Sequence, residues 1–434
     1  MRTSVYKQIP DSAAFKQQLL CWSQQFREIV FLDSNSETNA NISKYSTYDC
    51  ILAVDAFTSI KTDFHNAFED LKTVQQTTRD WLFGYLTYDL KNDIENLKST
   101  NFDGLDFPDL YFFQPKKIFL LKGNQLEIQY LNMCDDELED DFEEILNCQK
   151  LKAESLESIN IQQRISKESY LEKVNNMLAR IHRGDIYEAN FCMEFFAEST
   201  SINPIDKFQK LNEISQAPFS VFFKNHQHFL CSASPERYLK KEGELVISQP
   251  IKGTSKRFEN PVEDENAKKQ LESDPKERSE NIMIVDLVRN DLSRTAEKGS
   301  VQVEELCGIY SFKQVHQMIS TIVSKVSHTV SPVEILKTTF PMGSMTGAPK
   351  ISAMQIIEEL EETKRGLYSG AVGYFRPTGD FDFNVVIRSI LYNQKQKYVS
   401  FSVGSAITSQ SIPEKEYEEC LIKAEAMKTV LEMN

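Results

Sequence analysis

The chain has 434 residues, 41% of them hydrophobic, enough apolar material for a large core and for more than one domain without covalent staples. Its 49 Lys and Arg stand against 64 Asp and Glu, a formal net charge of −15; this argues against a nucleic-acid-binding face and means that an anionic substrate needs local help from a metal or from clustered basic groups. No apolar run has the form of a signal peptide or the length of a membrane span, so the expectation is a soluble cytoplasmic protein.

The opening residues alternate short apolar runs with polar turns, "REIVFLDS", "CILAVDAF", "WLFGYLTYDL", "KKIFLLKG" and "QLEIQYLN", the pattern of a sheet-forming half. Residues 135–144 then carry eight acidic side chains in ten and begin a polar helical stretch to about residue 158, read as a solvated connector. Residues 1–158 are thus taken as a β-rich region with its acidic connector, and 159–434 as a second region. The latter opens with an amphipathic helix capped by Ser166 and stopped near Gly184. The strands "FSVFFKN", "HFLCSAS" and "ELVISQ" follow, and then the helices "ERSENIMIVDLVRNDLSRTA" and "SPVEILKTTF". After the turn-rich "PMGSMTGAPK" come another helix, two strands and the last helix, "PEKEYEECLIKAEAMKTVLEM". Strands and helices grouped this way favour an α+β fold with large antiparallel sheets. The eight cysteines include no CxxC pair and are read as reduced, mostly buried thiols.

Several residues carry possible chemistry. In the last helix Glu416, Glu419 and Lys423 share one face at i, i+3 and i+7, and Glu277 with Glu280 makes a second i, i+3 carboxylate pair. Each set alone is an ordinary solvated helix face; where two such faces meet, four carboxylates suit one hard divalent cation such as Mg²⁺. Arg388 interrupts the apolar "VVIRSI" and needs an anionic partner, either a protein acid or a bound carboxylate. His316 in "KQVHQMIS" is either a core histidine or a catalytic one. "GSMTGAPK" does not meet the G-x4-G-K-[ST] pattern of a phosphate loop. The "HQH" at 226–228 and the "RGD" at 183–185 are too short to carry a site.

Seven segments, "QPIKGT", "KERSENIMIVDLVRNDL", "VHQMIS", "GSMTGAPK", "RGLYSGAVGYF", "VVIRSI" and "EKEYEECLIKAEAM", occur in an order that resembles the chorismate-utilising enzymes over roughly residues 165–434. This family includes component I of anthranilate synthase, component I of aminodeoxychorismate synthase, and the isochorismate and salicylate synthases. The resemblance implies two large antiparallel β-sheets packed as a sandwich with helices outside, and a Mg²⁺-dependent site. It implies that Glu277, Glu280, Glu416 and Glu419 hold Mg²⁺ against one carboxylate of chorismate. Arg388, Tyr368 and Lys423, with backbone near Gly404, then meet the other carboxylate. Glu236 in "SASPERY" matches the general acid that assists departure of the ring 4-hydroxyl, and His316 and Thr254 match polar positions of the active site.

Lys252 separates branches of this family: anthranilate and isochorismate synthases typically have "PIAGT", and aminodeoxychorismate synthase component I typically has "PIKGT". The mechanism implied is attack of the lysine amine on C2 as hydroxide leaves C4, then attack of ammonia on C4 with expulsion of the lysine. An unperturbed lysine is neutral only about once in 2,500 molecules at pH 7, so its surroundings are expected to lower its pKa, with free carboxylates opposing. Glu188 in "GDIYEANF" stands where ammonia-using relatives usually have glutamine and water-adding ones lysine; it either meets ammonium or makes a structural hydrogen bond. Asn281, where anthranilate synthases commonly have histidine, leans the same way as Lys252. "FLDSNS" only loosely resembles the "LLES" region that binds tryptophan in regulated anthranilate synthases, so tryptophan inhibition is not expected. The resemblance is closest to the aminodeoxychorismate synthase branch, with ammonia from a separate glutamine amidotransferase subunit. The competing readings are an anthranilate synthase component I and a non-catalytic subunit that binds a ligand or partner.

Overall fold

The computed structural model describes residues 1–36, 44–149 and 159–433; the end of the acidic connector and the 158/159 boundary lie at or within a stretch outside them. The strands pair antiparallel throughout. Their period-two alternation feeds two different cores. In strand Glu28–Asp33, Ile29 and Phe31 face one core and Val30 the other; in Cys50–Thr62, Cys50, Leu52 and Val54 oppose Ile51 and Ala53.

The first core is closed by helices: Phe15 and Leu19 of Ser12–Ser23, Tyr170 and Val174 of Lys167–Arg183, and Tyr417 and Met427 of Pro413–Glu432. The second lies on the opposite face of Glu28–Asp33 and Cys50–Thr62 and gathers strands Leu82–Leu86, Ala371–Phe375 and Phe381–Val385 with Phe68, Ile284 and Leu336 from three helices. The result is the α+β sandwich with outer helices. Its layers are joined by strand Leu110–Lys122, which pairs with Cys50–Thr62 along its length, with Leu82–Leu86 at one end and with Gln125–Leu131 at the other. Strand Glu28–Asp33 pairs with Phe219–Asn225, and Leu82–Leu86 with Ala371–Phe375, so the early and late parts of the chain share sheets.

The acidic run is largely solvated, with Asp136, Glu137, Glu139, Asp140, Glu143 and Glu144 exposed, but it is anchored at a few points. Helix Leu138–Asn147 buries Leu138 and Ile145, and buried Lys117 donates to Glu137 Oε2 at 2.6 Å and to Asp141. Tyr130 also donates to Asp141, at 2.7 Å. A buried ammonium needs carboxylate partners, and the acidic cluster supplies them. The cysteines need a correction as well: Cys21 and Cys148, 127 residues apart, form a disulfide, whereas Cys50, Cys134, Cys192, Cys231, Cys307 and Cys420 are buried thiols. Among the described residues, no helix is long and apolar enough to cross a membrane.

Candidate active site

A cavity of roughly 940 Å³ opens between the sheet and two helices, and the sequence-predicted residues Glu236, Lys252, Thr254, Glu277, Glu280, Tyr368, Arg388, Gly404, Glu416, Glu419 and Lys423 all line it. Lys252 enters it from strand Ile251–Lys256 through a local irregularity: the register against Val315–Lys325 shifts between Ile251 and Thr254. Gly253 there has φ +98°, a value that glycine adopts without strain. The bulge takes Lys252 out of the ladder, and Asn281 Nδ2 fixes it by donating to the Lys252 carbonyl at 3.2 Å.

The lysine ammonium is 2.9 Å from Glu188 Oε1; the two side chains are 10% and 1% exposed, and Glu188 Oε2 is buried with no hydrogen-bond partner. Burial alone would push the Lys252 pKa down, but the carboxylates of Glu188, Glu280 and Glu236 outweigh it and hold the amine above its ordinary range. The expectation of a lowered pKa is therefore not met with these carboxylates free. Glu188 does not itself line the cavity; it reaches the site through Lys252.

Glu236 lies in the link between strands His228–Ser234 and Arg237–Glu242 and is 4% exposed. Burial pushes its carboxyl up to about 7, against the opposing effects of the Ser344 hydroxyl, Lys252 and the Ile251 amide. Ser344 belongs to the segment first weighed as a phosphate loop. Lys350 at its end donates to Asp291 Oδ2 at 2.5 Å and to the Thr339 and Pro341 carbonyls at 3.1 and 2.9 Å, tying the segment down.

The carboxylate pairs come from the first two turns of two helices. Asp274 caps Pro275–Ser293 by accepting from the Lys276 and Glu277 amides at 2.8 and 3.1 Å, and Pro275 takes the first helical position. Glu416 and Glu419 lie in the first two turns of Pro413–Glu432, behind Pro413, and there the preceding Ile412 supplies no side-chain cap. Burial raises the Glu277 pKa and pushes Glu280 up to about 7. For Glu419 burial is outweighed by Lys423, whose ammonium lies 2.5 Å away, and its pKa falls. Among the described residues no group of three or more His, Cys, Asp or Glu is gathered closely enough to hold a metal ion as it stands. The donor chemistry nevertheless fits a hard divalent cation: four carboxylates line one cavity, and Glu280 Oε1 is buried without a hydrogen-bond partner.

Arg388 has no side-chain hydrogen bond or ion pair among the described residues, and its φ is +52°. Among the described residues Glu419 acts on it only electrostatically, without an ion-pair contact, so its hydrogen-bonding edge is available to a carboxylate in the cavity. Tyr368 stands beside it on the cavity wall, with its hydroxyl 3.8 Å from Cys192 Sγ. Lys423 also donates to the Gly404 carbonyl at 2.9 Å. A Cβ at residue 404 would come within 2.4 Å of Asn190 Oδ1, so the close approach of these two strands requires glycine.

His316 is placed differently from its neighbours. Val315 and Gln317 line the cavity, and alternation along the strand turns His316 to the opposite face. There its ring is buried, with Nδ1 2.8 Å from Ser311 Oγ and Nε2 3.1 Å from Asp264 Oδ1.

Behind the wall, buried Arg365 donates to Glu361, to the Met345 carbonyl at 2.6 Å and to the Asn190 carbonyl at 2.7 Å. Glu361 in turn accepts from the Cys192 amide at 2.8 Å. Arg365→Met strands Glu361 as a buried unpaired charge, and urea unfolding is expected to show a loss of about 3–5 kcal/mol; a loss below about 1 kcal/mol contradicts this account of the wall.

A family model described as chorismate binding enzyme matches residues 20–429. The aminodeoxychorismate synthase component 1 of Bacillus subtilis is 30% identical over 462 residues, covering 99% of this chain and 97% of that one. The chloroplastic aminodeoxychorismate synthase of Arabidopsis thaliana is 32% identical over 447 residues; the match takes in 98% of this chain and 47% of the relative, so the chain spans about half the length of that protein. The crystal structure of anthranilate synthase component I from Streptococcus pneumoniae superposes with a TM-score of 0.76 at 26% identity, over 87% of this chain and 91% of that one.

Proposed function

The chain belongs to the chorismate-binding enzyme family, and from that premise we propose that it is the synthase component of an aminodeoxychorismate synthase, converting chorismate and ammonia to 4-amino-4-deoxychorismate and water. The observation that carries this reading is Lys252, brought by a bulge into the same cavity as Glu236 and the unpartnered Arg388. In the proposed sequence the neutral Lys252 amine bonds to C2, both conjugated ring double bonds shift, and the C4–O bond breaks as Glu236 gives its proton to the leaving hydroxide, releasing water. Ammonia then bonds to C4, the double bonds shift back, the C2–N bond breaks with its electron pair returning to the lysine amine, and the proton lost by the new C4 ammonium restores Glu236.

Arg388, Tyr368 and Lys423 take one substrate carboxylate. Glu277, Glu280, Glu416 and Glu419 would hold Mg²⁺, which when bound supplies positive charge for the other. Ammonia comes from a separate glutamine amidotransferase subunit, a reading supported by the "component 1" in the Bacillus relative's name. Incubation with chorismate, Mg²⁺ and ammonium followed by mass spectrometry tests the proposal: 4-amino-4-deoxychorismate is expected, and anthranilate formed without an added lyase overturns it.

Glu188 sets the protonation of the nucleophile. As the nearest carboxylate to Lys252 it favours the charged amine, and chemistry needs the neutral one. Glu188→Gln removes that charge, so the lysine loses its proton at lower pH. The acid limb of the pH–rate profile is expected to move to lower pH, and an unchanged limb refutes this role for Glu188.

A further inference from the structure

Lys276 is the residue the sequence motifs passed over. It is the second residue of helix Pro275–Ser293, next to Glu277 and one turn before Glu280. Its ammonium lies 3.7 Å from Glu280 Oε1 and 3.6 Å from Glu416 Oε1, spanning the two helices that carry the carboxylates. Among the described residues, these are the only ion pairs that either glutamate makes.

Three features decide what such a lysine does. Both separations exceed hydrogen-bonding distance, so the contacts are electrostatic and hold no fixed geometry. Glu280 Oε1 accordingly remains without a hydrogen-bond partner although buried. The side chains of Glu280 and Glu416 are 10% and 4% exposed but that of Lys276 is 37% exposed, so the lysine reaches in from the solvent edge and has room to swing back. Lys423 pairs with Glu419 and Lys252 also acts on Glu280, but among the described residues no ammonium lies within hydrogen-bonding distance of Glu277, Glu280 or Glu416; these three carboxylates are short of cation, the condition in which a divalent ion displaces a monovalent one.

We propose that Lys276 is a built-in stand-in for the divalent cation: its ammonium bridges the two carboxylate-bearing helices when no metal is bound and withdraws to solvent when one is. The proposal rests on the reading that these glutamates hold Mg²⁺. It adds that this chain carries its own competitor for the site, which keeps the two helices together without metal and weakens metal affinity.

The test is Mg²⁺ binding by calorimetry without chorismate, together with thermal melts in EDTA and in Mg²⁺, for the wild type, Lys276→Met and Lys276→Gln. Both variants are expected to bind Mg²⁺ about tenfold more tightly than the wild type, because a competing like charge has gone. They are also expected to melt lower than the wild type in EDTA and to gain more on adding Mg²⁺. Variants that bind Mg²⁺ equally or more weakly overturn the proposal and make Lys276 an aid to metal binding; variants that melt like the wild type in EDTA overturn the bridging role. A wild type that binds no Mg²⁺ overturns the metal reading and the proposal with it. Because none of these measurements uses turnover, they stand apart from the identity of the aminated product.

Discussion

Lys252→Ala is expected to lower formation of 4-amino-4-deoxychorismate by about 1,000-fold or more, with chorismate binding changed by only a few-fold. In the proposed sequence, ammonia that attacks chorismate directly gives nitrogen at C2, and nitrogen reaches C4 after a nucleophile first occupies C2 and then leaves. Among the residues lining the cavity, Lys252 has the amine, the bulged backbone and the neighbouring acid that such a nucleophile needs. Residual turnover in the variant should therefore be C2 amination.

The control has to separate chemistry from folding. Removing the lysine leaves Glu188, 1% exposed, with neither carboxylate oxygen paired by a side chain, a defect expected to destabilise by about 3–5 kcal/mol. Lys252→Ala with Glu188→Gln removes both charges, so the double variant should recover much of that loss by urea unfolding and still fail to aminate C4. A double variant that is stable and makes the C4 product at near wild-type rate rules out the covalent role.

The site could be read in the sequence where its residues are local to one element. The i, i+3 carboxylate pairs and the lysine of "PIKGT" are visible because helical spacing and the adjoining glycine are properties of neighbouring residues. Contacts between elements were not visible. Lys276 looks like any first-turn lysine until Glu416 arrives from a helix about 140 residues later. Ser344 looked like part of a failed phosphate loop, and its hydroxyl is an acceptor-directed neighbour of Glu236 only in the folded chain. His316 shows the opposite case: its local sequence leaves a core and a catalytic histidine open, the resemblance puts it in the site, and strand alternation turns it away from the cavity that Val315 and Gln317 line. The anchoring of the largely solvated acidic run is hidden for the same reason, because its partner Lys117 lies on a strand counted as apolar. Period-two patterning made the sheets legible, whereas their joining into one network depends on long strands with different partners at their two ends.

Glu236→Gln should separate activity from stability by moving them in opposite directions. With its carboxyl pushed up to about 7 by burial, Glu236 still carries a proton near neutrality and can donate it to the departing hydroxide. Because the Lys252 amine is held above its ordinary range, the competent form, neutral Lys252 with protonated Glu236, is a minor species whose share grows with pH up to about 7 and then stays level, so wild-type kcat is expected to rise toward pH 7 and flatten there. The glutamine variant should lose this break at about 7, with its rate still rising beyond it, and turn over about 10²–10⁴-fold more slowly. Stability follows from the same displacement. An unfolded glutamate titrates near 4.5 and the folded one near 7, so between these values the native state keeps a proton that the unfolded chain has released. The contribution of Glu236 to stability is then greatest below about pH 4.5, declines as pH rises, and levels off above about pH 7. Glutamine has no such titration. The variant should gain on the wild type by up to about 3 kcal/mol between acid pH and pH 8. Glu280, also pushed up to about 7, is present in both proteins and largely cancels from the difference. Urea unfolding of the pair at pH 5 and pH 8, beside their pH–rate profiles, reads both effects. A difference in stability that does not change with pH would show that Glu236 is already ionised in the folded protein, and it could then not be the acid for the C4 hydroxyl.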